Sequence, residues 1–64
     1  MQDRALLTVQ EAAYLLSLGQ TKVRELIATG ELRSVLIGRA RRVPRTAVDG
    51  FVAALIASEN GEAA

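Results

Sequence analysis

The sequence predicts a mainly α fold with one short β-hairpin, arranged as a winged helix-turn-helix. Three observations carry this expectation. Two short amphipathic patterns, about Val9–Leu16 and Gln20–Thr29, are separated only by Ser17-Leu18-Gly19. A β-branched run, Ser34-Val35-Leu36-Ile37, meets a glycine and is followed by a second short extended segment. A further helical stripe then starts near Thr46. Helix, tight turn, helix, two-stranded wing and closing helix follow in that order.

The first helix is announced by Thr8-Val9-Gln10-Glu11, a capping box in which the Thr8 hydroxyl and the Glu11 carboxylate each take the other's backbone amide. Ala12, Leu15 and Leu16 follow at i, i+3 and i+4 and are expected to face the core. In the turn, Leu18 is expected to plug the angle between the helices, and Gly19 to act as the next N-cap. The second helix has Val23, Leu26 and Ile27 as its apolar stripe and ends at Gly30, placed as a left-handed C′ residue. Leu32 is expected to anchor its exit.

Gly38-Arg39-Ala40 reads as the turn of the wing, and Pro44 as the end of its returning strand. For the last helix, Thr46 is the candidate N-cap. Val48, Phe51, Val52 and Leu55 form its stripe, with Phe51 expected in the core against Leu15, Leu26 and Ile37. By this reading residues 1–5 are a flexible tail, residues 6–57 the domain, and residues 58–64 an acidic, frayed tail.

The chain has 64 residues, enough for one domain with a small core. It contains no cysteine and no histidine, which removes disulfides, Cys/His zinc sites and His-based triads. Its scattered acids form no hydrolytic or metal constellation, so no catalytic residue, metal or cofactor is expected. No run approaches a membrane span, and the first residues lack the apolar stretch of a signal peptide. A cytoplasmic, nucleoid-associated protein without membrane contact is the expectation.

Net charge is only +1, but it is unevenly spread. Between Gln20 and Arg45 stand Lys22, Arg24, Arg33, Arg39, Arg41, Arg42 and Arg45 against Glu25 and Glu31, a local balance of +5. The rest of the chain carries −4. A concentrated basic segment fits a polyanion. It disfavours a protein-interaction module that uses this fold without DNA.

The candidate DNA-reading residues are the outward residues early in the second helix: Gln20, Thr21, Lys22, Arg24 and Glu25. A helix enters the major groove N-terminus first, where Gln suits adenine and Arg or Lys suits guanine. By this reading Arg24 serves sequence choice more than Arg39 does. Arg39, Arg41 and Arg42 on the wing suit phosphates or a narrow minor groove. Thr8, Arg33 and Arg45 are candidate phosphate contacts.

Leu7-Thr8-Val9-Gln10-Glu11-Ala12-Ala13-Tyr14-Leu15-Leu16 resembles the opening of excisionase-family and MerR-like winged-helix domains. Val23 to Leu32 resembles their recognition helix with its glycine exit. Val35-Leu36-Ile37-Gly38-Arg39 and Arg42-Val43-Pro44-Arg45 resemble their wing. Two positions depart: Arg41 stands where an aromatic is common, and Leu36 where a basic residue is common. The resemblance implies a recombination directionality factor that binds repeated sites in double-stranded DNA beside further copies of itself. Such a factor bends the DNA and helps an integrase run excision. The alternative it implies is a small MerR-like transcription regulator. With no long dimerisation helix after Leu55, the excisionase reading is preferred.

Overall fold

A computed structural model describes residues 4–61. The elements run β1 (Leu6–Leu7), α1 (Val9–Leu16), α2 (Gln20–Thr29), β2 (Val35–Ile37), β3 (Ala40–Pro44) and α3 (Arg45–Gly61). The architecture is the expected winged helix-turn-helix, mainly α with a small antiparallel sheet.

Helix α1 begins with the capping box. Glu11 N donates to Thr8 Oγ1 at 3.0 Å, and Thr8 N donates to Glu11 Oε1 at 2.9 Å. It ends at Ser17, whose backbone is left-handed with φ 58°. The Ser17 amide returns to Tyr14 O and the Leu18 amide to Ala13 O, so orphan carbonyls at the helix end are satisfied. Two residues later Gly19 caps the start of α2 without contributing a side-chain bond. Gly30 closes α2 at φ 86°, a conformation that costs glycine nothing.

The inner face of α1 differs from the expected one. Ala12 and Ala13 are buried, with Val9 and Leu16 packed beside them, while Leu15 is 48% exposed. The face is again i, i+3, i+4, i+7, rotated by one residue from the most hydrophobic choice. Small alanines let α1 lie close to α2, and a leucine in their place would hold the helices apart. Leu18 is also exposed rather than plugged between the helices. The turn is held by its backbone bonds, so it needs no side-chain plug.

The core joins Leu7, Ala12, Ala13, Val23, Leu26, Leu32, Val43 and Val48. Leu32 is buried as expected and is tied back by its amide to Leu26 O at 3.1 Å. Strand β3 is central in a sheet of order β1-β3-β2. The pairing of Leu7 with Val43 puts two fully enclosed side chains side by side. Sequence patterning did not reveal β1. Part of the supposed N-terminal tail is bound as well: Arg45 N donates to Ala5 O at 2.8 Å, and Arg4 pairs with Glu11. Residues 1–3 of that tail lie outside the described residues.

Helix α3 starts at Arg45, one residue before the expected cap, and packs chiefly on β3. Val48 is buried and Phe51 is only half-buried against the core's edge. Phe51 does not sit within a core shared with Leu15 and Ile37, because both of those side chains are about half exposed. Val52, Leu55 and Ile56 are exposed as well. The helix runs on through Ser58 and Glu59 to Gly61, past the expected start of the frayed tail. Its alanine-rich middle, Ala53-Ala54-Leu55-Ile56-Ala57, favours helix, and no proline interrupts it. Residues 62–64 lie outside the described residues.

Candidate nucleic-acid interface

The N-terminal half of α2 is solvent-facing on one side. Val23 and Leu26 take the inner face, so Gln20, Thr21, Lys22, Arg24 and Glu25 are turned outward and exposed. At about 100° per residue the five cover the whole outward arc of α2, with Gln20 and Lys22 on opposite flanks. Lys22 Nζ lies 3.8 Å from Glu25 Oε1, an exposed i, i+3 pair of small energetic weight. The missing side-chain cap at Gly19 leaves first-turn amides of α2 open to solvent.

The wing is a hairpin with a two-residue turn. Ile37 pairs with Ala40, so the turn is Gly38-Arg39 and Ala40 already belongs to β3. Gly38 has φ 62°, as the first position of a type II′ connection requires. Arg39 therefore stands at the tip. Successive strand residues point to opposite faces, which separates Arg41 from Arg42. Arg41 shares its face with buried Val43, and its Nη1 donates to Ser34 Oγ at 2.9 Å. Arg42 takes the other face, half-buried, and donates to the Arg41 carbonyl. The three wing arginines are neighbours in sequence but not one cluster in space.

The remaining candidates are spread. Thr8 is half-buried and its hydroxyl oxygen is engaged as a helix cap, though the O–H can still donate. Arg45 is half-buried at the junction of β3 and α3, and Arg33 is exposed in the loop between α2 and β2. Glu11 is held below the usual carboxylate range. The Thr8 amide bond is the main cause and the Arg4 charge adds to it, against a smaller opposing effect of desolvation.

A broad open groove of about 1170 Å³ lies between α2, the wing and the first half of α3. Arg24, Arg33 and Arg41 line it, with Ile27 and Phe51 among its apolar residues. The sequence reading named these arginines separately and missed both the groove and Ser34. Once the two-residue turn is known, strand alternation places Ser34 on the face of Arg41. The groove has no local signal, because it exists only when three elements meet.

Comparison with known proteins agrees with the helix-turn-helix fold. The chain matches the helix-turn-helix domain family over residues 6–55. A protein of Saccharopolyspora erythraea described as a probable excisionase is 55% identical over 60 residues, covering 94% of this chain. The chain spans only 61% of that relative's length. A protein of Streptomyces ambofaciens described as an excisionase is 49% identical over 47 residues, covering 73% of this chain and 76% of the relative. No solved structure is detectably similar.

Proposed function

Because the chain belongs to the excisionase family of helix-turn-helix proteins, we propose that it binds duplex DNA and promotes integrase-mediated excision without doing chemistry itself. The observation that carries this reading is the outward face of α2 beside an arginine-tipped wing. In the complex α2 enters the major groove, and Gln20, Thr21, Lys22 and Glu25 face base edges. Arg39 at the wing tip reaches the adjacent minor groove. Thr8, Arg42 and Arg45 lie at the margins, suited to phosphates.

A single module of this size covers little DNA surface, about 600–1,000 Å². The protein therefore acts as several copies on adjacent repeats. DNA holds neighbours at high effective concentration, so weak contacts between copies raise occupancy. Successive copies bend the duplex beside the integrase. The site of action is the cytoplasm, at the nucleoid, and among the described residues no helix is long and apolar enough to cross a membrane.

The test is a titration of duplex DNA at increasing salt. Four to six neutralised phosphates give a log K against log salt slope of about −4 to −5. A flat response contradicts DNA binding through the basic segment. Band shifts on one, two and three repeats are expected to show cooperative filling. A second reading, a small two-fold regulator, draws on the exposed Val52, Leu55 and Ile56 of α3. Light scattering decides between them: a stable free dimer favours the regulator, and a monomer the excisionase.

A further inference from the structure

We propose that the groove between α2 and the wing seats the sugar-phosphate backbone of one DNA strand, held by Arg24, Arg33 and Arg41. This deepens the reading above and rests on it. If α2 occupies a major groove and the wing the adjacent minor groove, the strand that separates the two grooves has to cross between them. The gap it crosses is the groove that these three arginines line.

The side chains fit that strand. Three cations meet one acid, Glu31, whose carboxylate already accepts from Thr29 Oγ1 at 3.2 Å. Neither Arg24 nor Arg33 has a hydrogen bond or ion pair among the described residues. Lys22 is paired within α2, and Arg41 is tethered to Ser34. The groove thus holds two uncommitted guanidinium groups and a third fixed in place by the wing's own base. Ile27 and Phe51 add an apolar surface of the kind a deoxyribose face covers. A basic groove without such a floor would suit a free anion equally well.

The assignment changes the role of Arg24. Helical position alone makes it a guanine reader. Its place in the groove wall, facing the wing, makes it a backbone contact that sets how deeply α2 sits. The two roles differ in measurable ways. A phosphate accepts any positive charge, whereas a guanine edge needs the planar fork of arginine. A phosphate contact weakens all sequences alike and carries about one unit of salt slope when lost.

The experiment uses the full chain and two duplexes: one enriched from a random library by the wild-type protein, and one of random sequence. Arg24→Ala and Arg33→Ala are each expected to weaken both duplexes by a similar factor, ~10-fold, and to make the salt slope shallower by about 0.9. Arg24→Lys is expected to keep most of the affinity for both. Thermal melts of each variant, with Arg41→Ala as the one that also loses its bond to Ser34, separate binding losses from unfolding. The proposal is overturned if Arg24→Ala and Arg24→Lys both lose the enriched duplex selectively at unchanged salt slope. It is also overturned if Arg33→Ala binds like wild type. Wild-type protein that binds neither duplex would sink the broader DNA reading, and this one with it.

Discussion

At the start of α1 the Thr8 hydroxyl and the Glu11 carboxylate each take the other's amide, and Arg4 pairs with Glu11 from outside. At the start of α2, Gly19 adopts the same extended cap geometry, φ −76° and ψ 158°, but supplies no side-chain bond. Both helices begin with the same orphan amides. The protein satisfies two of these groups with side chains at α1, and supplies no side-chain partner at α2, the helix proposed to enter DNA. A negatively charged cap suits the first site, where the Glu11 carboxylate holds the helix terminus and is paired with Arg4. At the second it would compete with phosphate for the positive end of the helix. The difference separates a stabilising terminus from a proposed binding one within one short motif.

The comparison can be broken by removing the first cap. Thr8→Ala is expected to lower stability by about 0.5–2 kcal/mol, read as a shift in a denaturant or thermal midpoint. Its DNA affinity, measured where the variant remains folded, should stay within about two-fold of wild type, since one half-buried hydroxyl at the margin is a small part of the contact. A large loss of binding in a folded Thr8→Ala protein would make this terminus part of the interface as well.

It can be sharpened by giving α2 the cap it lacks. A Cβ at position 19 would meet nothing within 4 Å, and the backbone there suits any L residue. Gly19→Asp is expected to raise stability by about 0.3–1 kcal/mol, through the cap bond and a less flexible unfolded chain. The same change should weaken DNA binding about tenfold, by setting a carboxylate against phosphate. Gain and loss in one variant is the signature sought. Equal or tighter DNA binding would mean that the α2 terminus stays away from the backbone.

The smallest effect is in the pH response. The carboxyl of Glu11 titrates below its ordinary range in the folded protein. Its contribution is therefore fully present above the unfolded-state value and is lost as pH falls through the folded value. Glu11→Gln keeps a side chain able to cap but removes the charge. The stability difference between wild type and Glu11→Gln is expected to shrink steadily as melts are taken from neutral into acid conditions. A difference that stays constant with pH would assign it to shape and not to charge.

The legible parts of the fold were those coded by near neighbours. The capping box, the glycine exit at Gly30 and the tight turn each need only a few adjacent residues, and each stands where the pattern placed it. The inner face of α1 was misplaced by one residue, because hydrophobicity favours Leu15 while close helix packing favours Ala13. Phe51 misled for a related reason. The largest apolar side chain of α3 lines the edge of a groove, and the smaller Val48 enters the core. In the candidate site, the exposure of Gln20, Thr21, Lys22, Arg24 and Glu25 followed from helix period alone. How the wing arginines divide depended on the register of the hairpin, and the groove depended on the whole fold.

Strand β1 has only two residues, yet its partners in β3 stand about 37 positions further along the chain. The contacts of the helix-turn-helix and of the hairpin, in contrast, are local. A short hairpin by itself is marginal in water, so the wing relies for its base on this remote third strand and on the helices packed against β3. Closing so long a loop costs entropy that only a nearly complete core returns. Folding should accordingly end with the N-terminal strand docking onto β3, after the local pieces exist. The wing then acquires its fixed direction relative to α2 in the last step. A chain released before that step would hold a formed helix-turn-helix whose wing is not yet aimed.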